Sequence, residues 1–405
     1  VKAADRVVVA AIAFMFVAIP LYGTFQVFDA LRAPMPVLVG FHGAVAIALA
    51  MLLAAAVCVW GAFRRPVPLR IVVGQLSAGS AIVLAALLGF DVQTGLELGL
   101  IVLAMGVVGL ALYGYAPLPG VTRTIVAATL ASALAAALLA LAMLLLRDPA
   151  PLYAYNNARA VGLFLNPNEL AAYLLVVLGL AAGVVCYARG LPLRILGGVT
   201  ALAGAAALGA TYSRWGFLAA AAGAAFFAVC SGGRRAWIGV GAIVVVALVL
   251  VLGPGEAHHN PRDDTSRIVA WTTGVRTWLA FPLTGIGPLA YRRTYDVLRP
   301  PEAPGGDAPV AFDPHSLPLA YLDESGLVGF GALILSWAIY VREIARVLRA
   351  APARRRALAL ALGGGLVALN VHVLVNTISI YFALATQGAA LVLALAQGGL
   401  DAPEA

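Results

Sequence analysis

The sequence predicts an all-α integral membrane protein with about twelve transmembrane helices and one large loop outside the bilayer. Three observations predict it. Of 405 residues, 62% are hydrophobic and only 11% charged, more apolar surface than a soluble core of this length can hide. Apolar runs of about 20 residues, the length that crosses a bilayer, recur along almost the whole chain. Arginines gather in alternate short connections, the bias that cytoplasmic loops carry. That bias also accounts for the net charge of +8, so membrane lipids and no nucleic acid are expected as partners.

Residues 1–405 read as a single polytopic domain. The expected spans are 7–28, 37–63, 71–90, 95–115, 121–146, 169–188, 193–212, 216–231, 236–253, 326–348, 357–376 and 378–397. The first follows "VKAADR" and is too long and too poorly punctuated for a cleaved leader. The run at 216–231 is short, and the last two spans share only "NTIS" to turn on. With the N-terminus in the cytoplasm, 16 of the 26 basic residues fall on that side, in short loops where the bias counts most. Both termini are then cytoplasmic. Two longer connections lie on the opposite, periplasmic side: a short segment at 147–168 and a large loop at 254–325. The large loop contains "DDTSRIVAWTTGVRTWLAF", with cap-forming Asp264, Thr265 and Ser266 ahead of Ile268, Trp271, Val275 and Trp278 at helical spacing. This predicts an amphipathic helix lying on the membrane or against the bundle.

Several polar residues have simple readings. Cys58, Cys186 and Cys230 sit in apolar runs without metal spacing and read as small buried hydrophobes. His258 and His259 adjoin each other but lack further ligands, so no metal is expected. His42 and His372 lie in apolar runs and read as packing residues. Asn370, His372 and Asn376 share one helical face, which suits hydrogen bonds between helices more than substrate contact.

Other residues need a stronger reason. Pro167 should end any preceding helix, and Asn168 and Glu169 suit the start of the next one, as N-cap and as a charge at the positive helix end. For both, a site role stands beside the capping role. Arg159 lies on the side where the charge bias disfavours it. Arg214 lies between two apolar runs joined by almost nothing, where it either snorkels to headgroups or folds into the bundle. Arg267 would open the loop helix, where a cation opposes the macrodipole. Its anionic partner would be Asp263, Asp264 or a ligand. His315 stands between the long loop and a span. Three arginines and a histidine thus share one predicted membrane face. Arginine's fork of donors matches paired phosphate oxygens, and histidine takes up a proton near neutral pH. Together they suit transfer of a group from a phosphorylated lipid to a hydroxyl.

The stretch "HSLPLAYLDESGLVG" places His315, Ser316, Gly326 and Gly329 in the order His, Asn or Ser, nine residues, Gly, two residues, Gly. This resembles the signature of bacterial O-antigen ligases, within the O-antigen ligase and polymerase superfamily. "RAVGLFLNPNELAAYLL", "TYSRWGFLA" and "RIVAWTTGVRTWLAFPLTGIGPLAY" resemble other segments of that superfamily, in its usual order, so the resemblance covers roughly residues 150–380. It implies a fold related to the polyprenyl-phosphate-dependent glycosyltransferases and an enzyme of the bacterial inner membrane with a periplasmic active site. The implied reaction transfers a glycan from undecaprenyl diphosphate to a sugar hydroxyl of lipid A–core, without metal or other cofactor. His315 is implied as the catalytic residue. Arg214 and Arg267, with Arg159 as a third, are implied as diphosphate ligands, and Ser316 and Asn168 as supporting residues. The glycines would let the following helix approach its neighbours closely. Asp323 and Glu324 would orient His315 or simply mark the aqueous interface, the second being the reading that helical spacing favours. The nearest alternative is a polymerase that uses a second lipid-linked glycan as acceptor. A protein-glycosylating relative is usually longer after its last spans, and a transporter would carry its ionisable residues near the midplane.

Overall fold

The computed structural model describes residues 2–21, 40–147, 158–164, 166–231, 234–253, 261–300, 313–398 and 400. Each apolar run becomes a helix: α1 (Ala3–Val17), α2 (Gly40–Arg64), α3 (Leu69–Leu88), α4 (Val92–Tyr115), α5 (Val121–Leu146), α6 (Pro167–Tyr187), α7 (Leu191–Ala210), α8 (Arg214–Ser231) and α9 (Arg234–Leu252). Two helices follow in the large loop, α10 (Pro261–Ala280) and α11 (Tyr291–Leu298). The chain then continues into α12 (Leu317–Ala350), α13 (Ala353–His372) and α14 (Tyr381–Gln397). Among the described residues eight helices are long and apolar enough to cross a membrane: α2 to α8 and α12. Twelve crossings would also need α1, α9, α13 and α14. Of these, α13 opens on Arg354, Arg355 and Arg356, and α14 has only 17 residues.

Charged groups sort to the two ends of the bundle. At one end Asp5 pairs with Arg65 at 3.2 Å, and the buried Glu343 pairs with Arg70 at 2.7 Å and Arg346 at 2.8 Å. Arg354 donates to the Tyr187 carbonyl and Arg355 to that of Gln397. All five arginines belong to the set expected in the cytoplasm. At the other end lie Asp91, paired with Arg293 at 2.5 Å, and Arg159, Arg267 and His315.

Glycine sets the tightest contacts. A Cβ on Gly223 of α8 would lie 2.3 Å from the Gly364 carbonyl oxygen, and one on Gly179 of α6 would lie 2.5 Å from that of Ala361. Small residues thus let α13 wedge between α6 and α8 with backbones almost touching, the usual device where lipid offers no hydrophobic drive. Packing of this kind fixes where the C-terminus of α13 emerges.

Two helix starts differ from expectation. Helix α10 begins at Pro261, because proline supplies a ready φ and needs no N–H at the first helical position. Asp264, Thr265 and Ser266 are therefore inside the helix, and Arg267 stands in its second turn, where the macrodipole argument is weak. Helix α10 buries a face of small residues, Ala270, Thr273 and Thr277, with the Gly274 backbone against Leu319 of α12. Both threonine hydroxyls bond carbonyls four residues back, which satisfies these two side chains where they are buried. Ile268, Val275 and Leu279 form an exposed apolar stripe.

Helix α12 begins at Leu317, nine residues before the expected span, and is broken inside by Gly326 at φ 62° and ψ −165°. The loop after α10 fills the break. Leu327 and Val328 donate to the carbonyls of Pro282 and Leu283, while Ile286 and Gly287 donate to those of Asp323 and Glu324. Gly326 is thus a backbone break rather than a mere helix–helix contact. The cysteine expectation also divides: Cys58 is buried, whereas Cys186 and Cys230 are exposed on their helices.

Candidate functional site

The turn between α13 and α14, residues 373–380, is where the candidate residues meet. The Val373 carbonyl accepts the Leu317 amide at 2.9 Å, which ties the His315–Ser316 segment to it. The Val375 carbonyl accepts Arg267 Nη1 at 3.2 Å, and Asn376 Oδ1 accepts Nη2 at 3.4 Å. The Ser379 amide donates to Glu169 Oε1 at 3.1 Å. His372, fully buried, bonds through Nε2 to the Asn168 carbonyl at 3.1 Å. Four helix ends are thereby joined through backbone groups that only a turn leaves unpaired.

Asn168 is the second junction. The N-cap of α6 is Asn166, whose side chain accepts the Asn168 amide at 2.8 Å with Pro167 at the first helical position. Asn168 is thus not the cap, because the proline moves the helix start two residues earlier. Its freed Oδ1 instead accepts Ser213 Oγ at 2.9 Å and Arg159 Nη2 at 3.5 Å. Arg159 Nε donates to the Thr211 carbonyl at 2.6 Å, and the Ala160 amide to that of Ala210. Arg214, the first residue of α8, follows Ser213 directly and is half-buried.

His315 has a half-exposed side chain, and its amide donates to Asp313 Oδ1 at 2.6 Å. Ser316 is buried as the N-cap of α12, with no side-chain capping bond. Backbone strain collects here. Among the described residues five non-glycines have positive φ, and three of them adjoin or are site candidates: Ala158, Tyr212 and His315. Such conformations cost about 1–3 kcal/mol each and gather where geometry serves function.

Asp323 does not mark an aqueous interface. It is fully buried, neither carboxylate oxygen has a hydrogen-bond partner, and Oδ2 lies close to Gly274 of α10. Glu324 faces the amides of Leu289 and Tyr291 at the start of α11. Burial, with Asp323 adding to it, pushes the Tyr291 phenol above the ordinary tyrosine range, and its hydroxyl donates to the Ala270 carbonyl at 2.8 Å. These two acids therefore belong to the joint between α10, α11 and α12. Among the described residues no three of His, Cys, Asp and Glu gather as metal ligands. His258 and His259 lie outside the described residues, as do the side chains of His42, Asp263 and Asp264.

Residues 199–334 match the family model described as O-antigen ligase. The match supports the O-antigen ligase superfamily for this stretch. No curated protein matches it. The matched stretch runs from α7 into α12 and contains Arg214, Arg267, His315, Ser316 and Gly326. In this chain the arms that complete the cluster come from outside that stretch: Arg159, Asn168 and Glu169 before it, and the turn at 373–380 after it. The turn was not expected to organise the site. Its signal was present in the polar spacing of Asn370, His372 and Asn376, which read as packing. Asn370 does bond across helices, accepting from Tyr381 Oη at 3.1 Å, but Asn376 holds Arg267.

Proposed function

We propose that this protein is an O-antigen ligase that transfers a glycan from undecaprenyl diphosphate to a sugar hydroxyl of lipid A–core, at the periplasmic face of the bacterial inner membrane. The observation that carries this reading is the joining of Arg159, Arg267 and the His315 segment to the ends of α6 and α13, with Arg214 beside them. In the proposed reaction Arg214 and Arg267, with Arg159, hold the diphosphate through forked donors. The acceptor oxygen attacks C1 of the sugar. The C1–O bond to diphosphate breaks, and its electron pair leaves with the phosphate, where the arginines stabilise the growing charge. The acceptor proton passes to His315 Nε2, and from there to the departing diphosphate or to water. An apolar groove between α6, α7, α8, α9 and α13, lined by Leu208, Phe217, Gly223, Ala242 and Gly364, suits a polyprenyl chain.

The test is a transfer assay with purified protein in lipid nanodiscs and a polyprenyl-diphosphate-linked glycan. One arm offers lipid A–core and the other a second molecule of donor. Glycosylated lipid A–core supports the ligase reading. Elongated lipid-linked glycan makes the protein a polymerase, and no product in either arm refutes glycan transfer.

A further inference from the structure

We propose that Asp313 is a positioning residue for His315, holding the imidazole in the tautomer with its proton on Nδ1 so that the Nε2 lone pair faces the acceptor hydroxyl. The inference rests on the proposed role of His315, and it adds a residue that neither the signature nor the chemistry of the arginines requires.

The geometry is local. Asp313 Oδ1 accepts the His315 amide at 2.6 Å across Pro314. This is an Asx-type turn, with a proline that fixes one of its two spanned dihedrals. The same Oδ1 lies 3.5 Å from His315 Nδ1, so a small rotation of the ring closes a second bond. Contacts of this kind are often long before substrate binds. The His315 backbone is at φ 50°, a left-handed conformation uncommon among non-glycine residues but one that histidine takes more readily than most. Leu317 then anchors the segment to Val373. Turn, strain and anchor together fix where the ring attaches, and the carboxylate governs how it faces.

The chemistry follows from what a carboxylate can do. It only accepts hydrogen bonds, so a ring nitrogen facing it must carry the proton. Neutral imidazole carries one N–H, and fixing it on Nδ1 leaves Nε2 as the acceptor. When Nε2 takes a proton, both nitrogens become donors, and the carboxylate stabilises the cation where it forms. Asp313 also lies within electrostatic reach of Glu169, Asp323 and Glu324. The His315 side chain is 43% exposed, so an acceptor can reach it.

The test uses Asp313→Asn in the full-length protein, because asparagine keeps an oxygen for the Asx turn but loses the charge. Nitrogen-15 NMR of labelled histidine at pH 8, with His315→Gln to assign the signal, reports the tautomer directly. The expected result is an Nδ1–H ring in the natural protein and a shift toward Nε2–H in Asp313→Asn. Turnover should fall by about 10- to 100-fold with KM for donor and acceptor little changed, part of the 10²–10⁴ that a positioned base supplies. An unchanged tautomer overturns the proposal. So does a variant whose loss lies in KM alone, since that would make Asp313 only a loop former. Full turnover by His315→Ala would instead remove the proposed role of His315. An unaltered tautomer beside an inactive His315→Ala would remove only the role of Asp313.

Discussion

Replacing Gly326 by alanine should separate the two halves of the molecule's polar end. At φ 62° and ψ −165° the residue occupies a region open almost only to glycine, and a side chain there costs about 1–3 kcal/mol. The added Cβ would also lie 2.3 Å from both the carbonyl carbon and oxygen of Leu283. These are backbone atoms and cannot swing aside as a side chain would. Relief requires the 282–287 segment to move, which breaks its four hydrogen bonds to 323–328. At about 0.5–1.5 kcal/mol each they add about 2–6 kcal/mol, for a total of about 3–9 kcal/mol against a whole-domain stability of about 5–15 kcal/mol. Gly331, one turn further along α12, is the control. A Cβ there would meet nothing within 4 Å, and alanine should gain up to about 1 kcal/mol inside a helix. Thermal unfolding of detergent-purified variants should show Gly326→Ala melting far below the natural protein and Gly331→Ala at or above it. Gly326→Ala should also lose glycan transfer, because α10 and its Arg267 hang on this joint. Equal melting temperatures and equal turnover for the two variants would refute the reasoning.

Arg267→Ala and Arg214→Ala should each lower transfer by about 10²-fold, as loss of one charge-stabilising donor does elsewhere, and lysine should restore only part because it lacks the fork; transfer rates at saturating donor check this. His315→Ala should lose most turnover while still binding donor, measured separately by equilibrium binding to nanodiscs. In a cysteine-free background, cysteines at Val297, 81% exposed on α11, and at Ala353, at the start of α13, should react with an impermeant thiol reagent from opposite sides of the membrane.

Hydropathy alone was enough to locate the long helices, because a bilayer-crossing segment must be both apolar and continuous, and both properties are written locally. The arginines were legible for a related reason: a cation on the disfavoured side of a membrane protein needs an explanation. Helix starts were less legible. At Asn166 and Pro261 a proline decided the first helical residue, whereas the capping pattern pointed to Asn168 and to Asp264. The expected span began at Gly326, but nothing local showed that helix also precedes it, and only the distant 282–287 segment makes this glycine a break. Helix α11 went unseen as well. It has eight residues, and it is held by Glu324 at its start and by Arg293 paired to Asp91, contacts that lie outside its own sequence.

That difference explains why the site is assembled as it is. A helix satisfies its own backbone in lipid but leaves four carbonyls at its C-terminus without partners. At the end of α13 the Val373 and Val375 carbonyls take the Leu317 amide and the Arg267 guanidinium. The N-terminus of α6 contributes Asn168 and Glu169, which reach His372 and Ser379. Each bond meets a need of the fold and also positions a candidate group. Backbone acceptors orient two of the forks: Arg159 Nε donates to the Thr211 carbonyl and Arg267 Nη1 to that of Val375. A carboxylate in those places would neutralise the guanidinium and oppose an incoming diphosphate. A carbonyl orients the fork while leaving its positive charge in place. Among the described carboxylates of this end, Glu169 holds the Ser379 amide in the turn, Asp323 is buried in the α10–α12 joint, Glu324 lies at the start of α11, and Asp313 stands beside His315, where it can act on a proton rather than on the diphosphate.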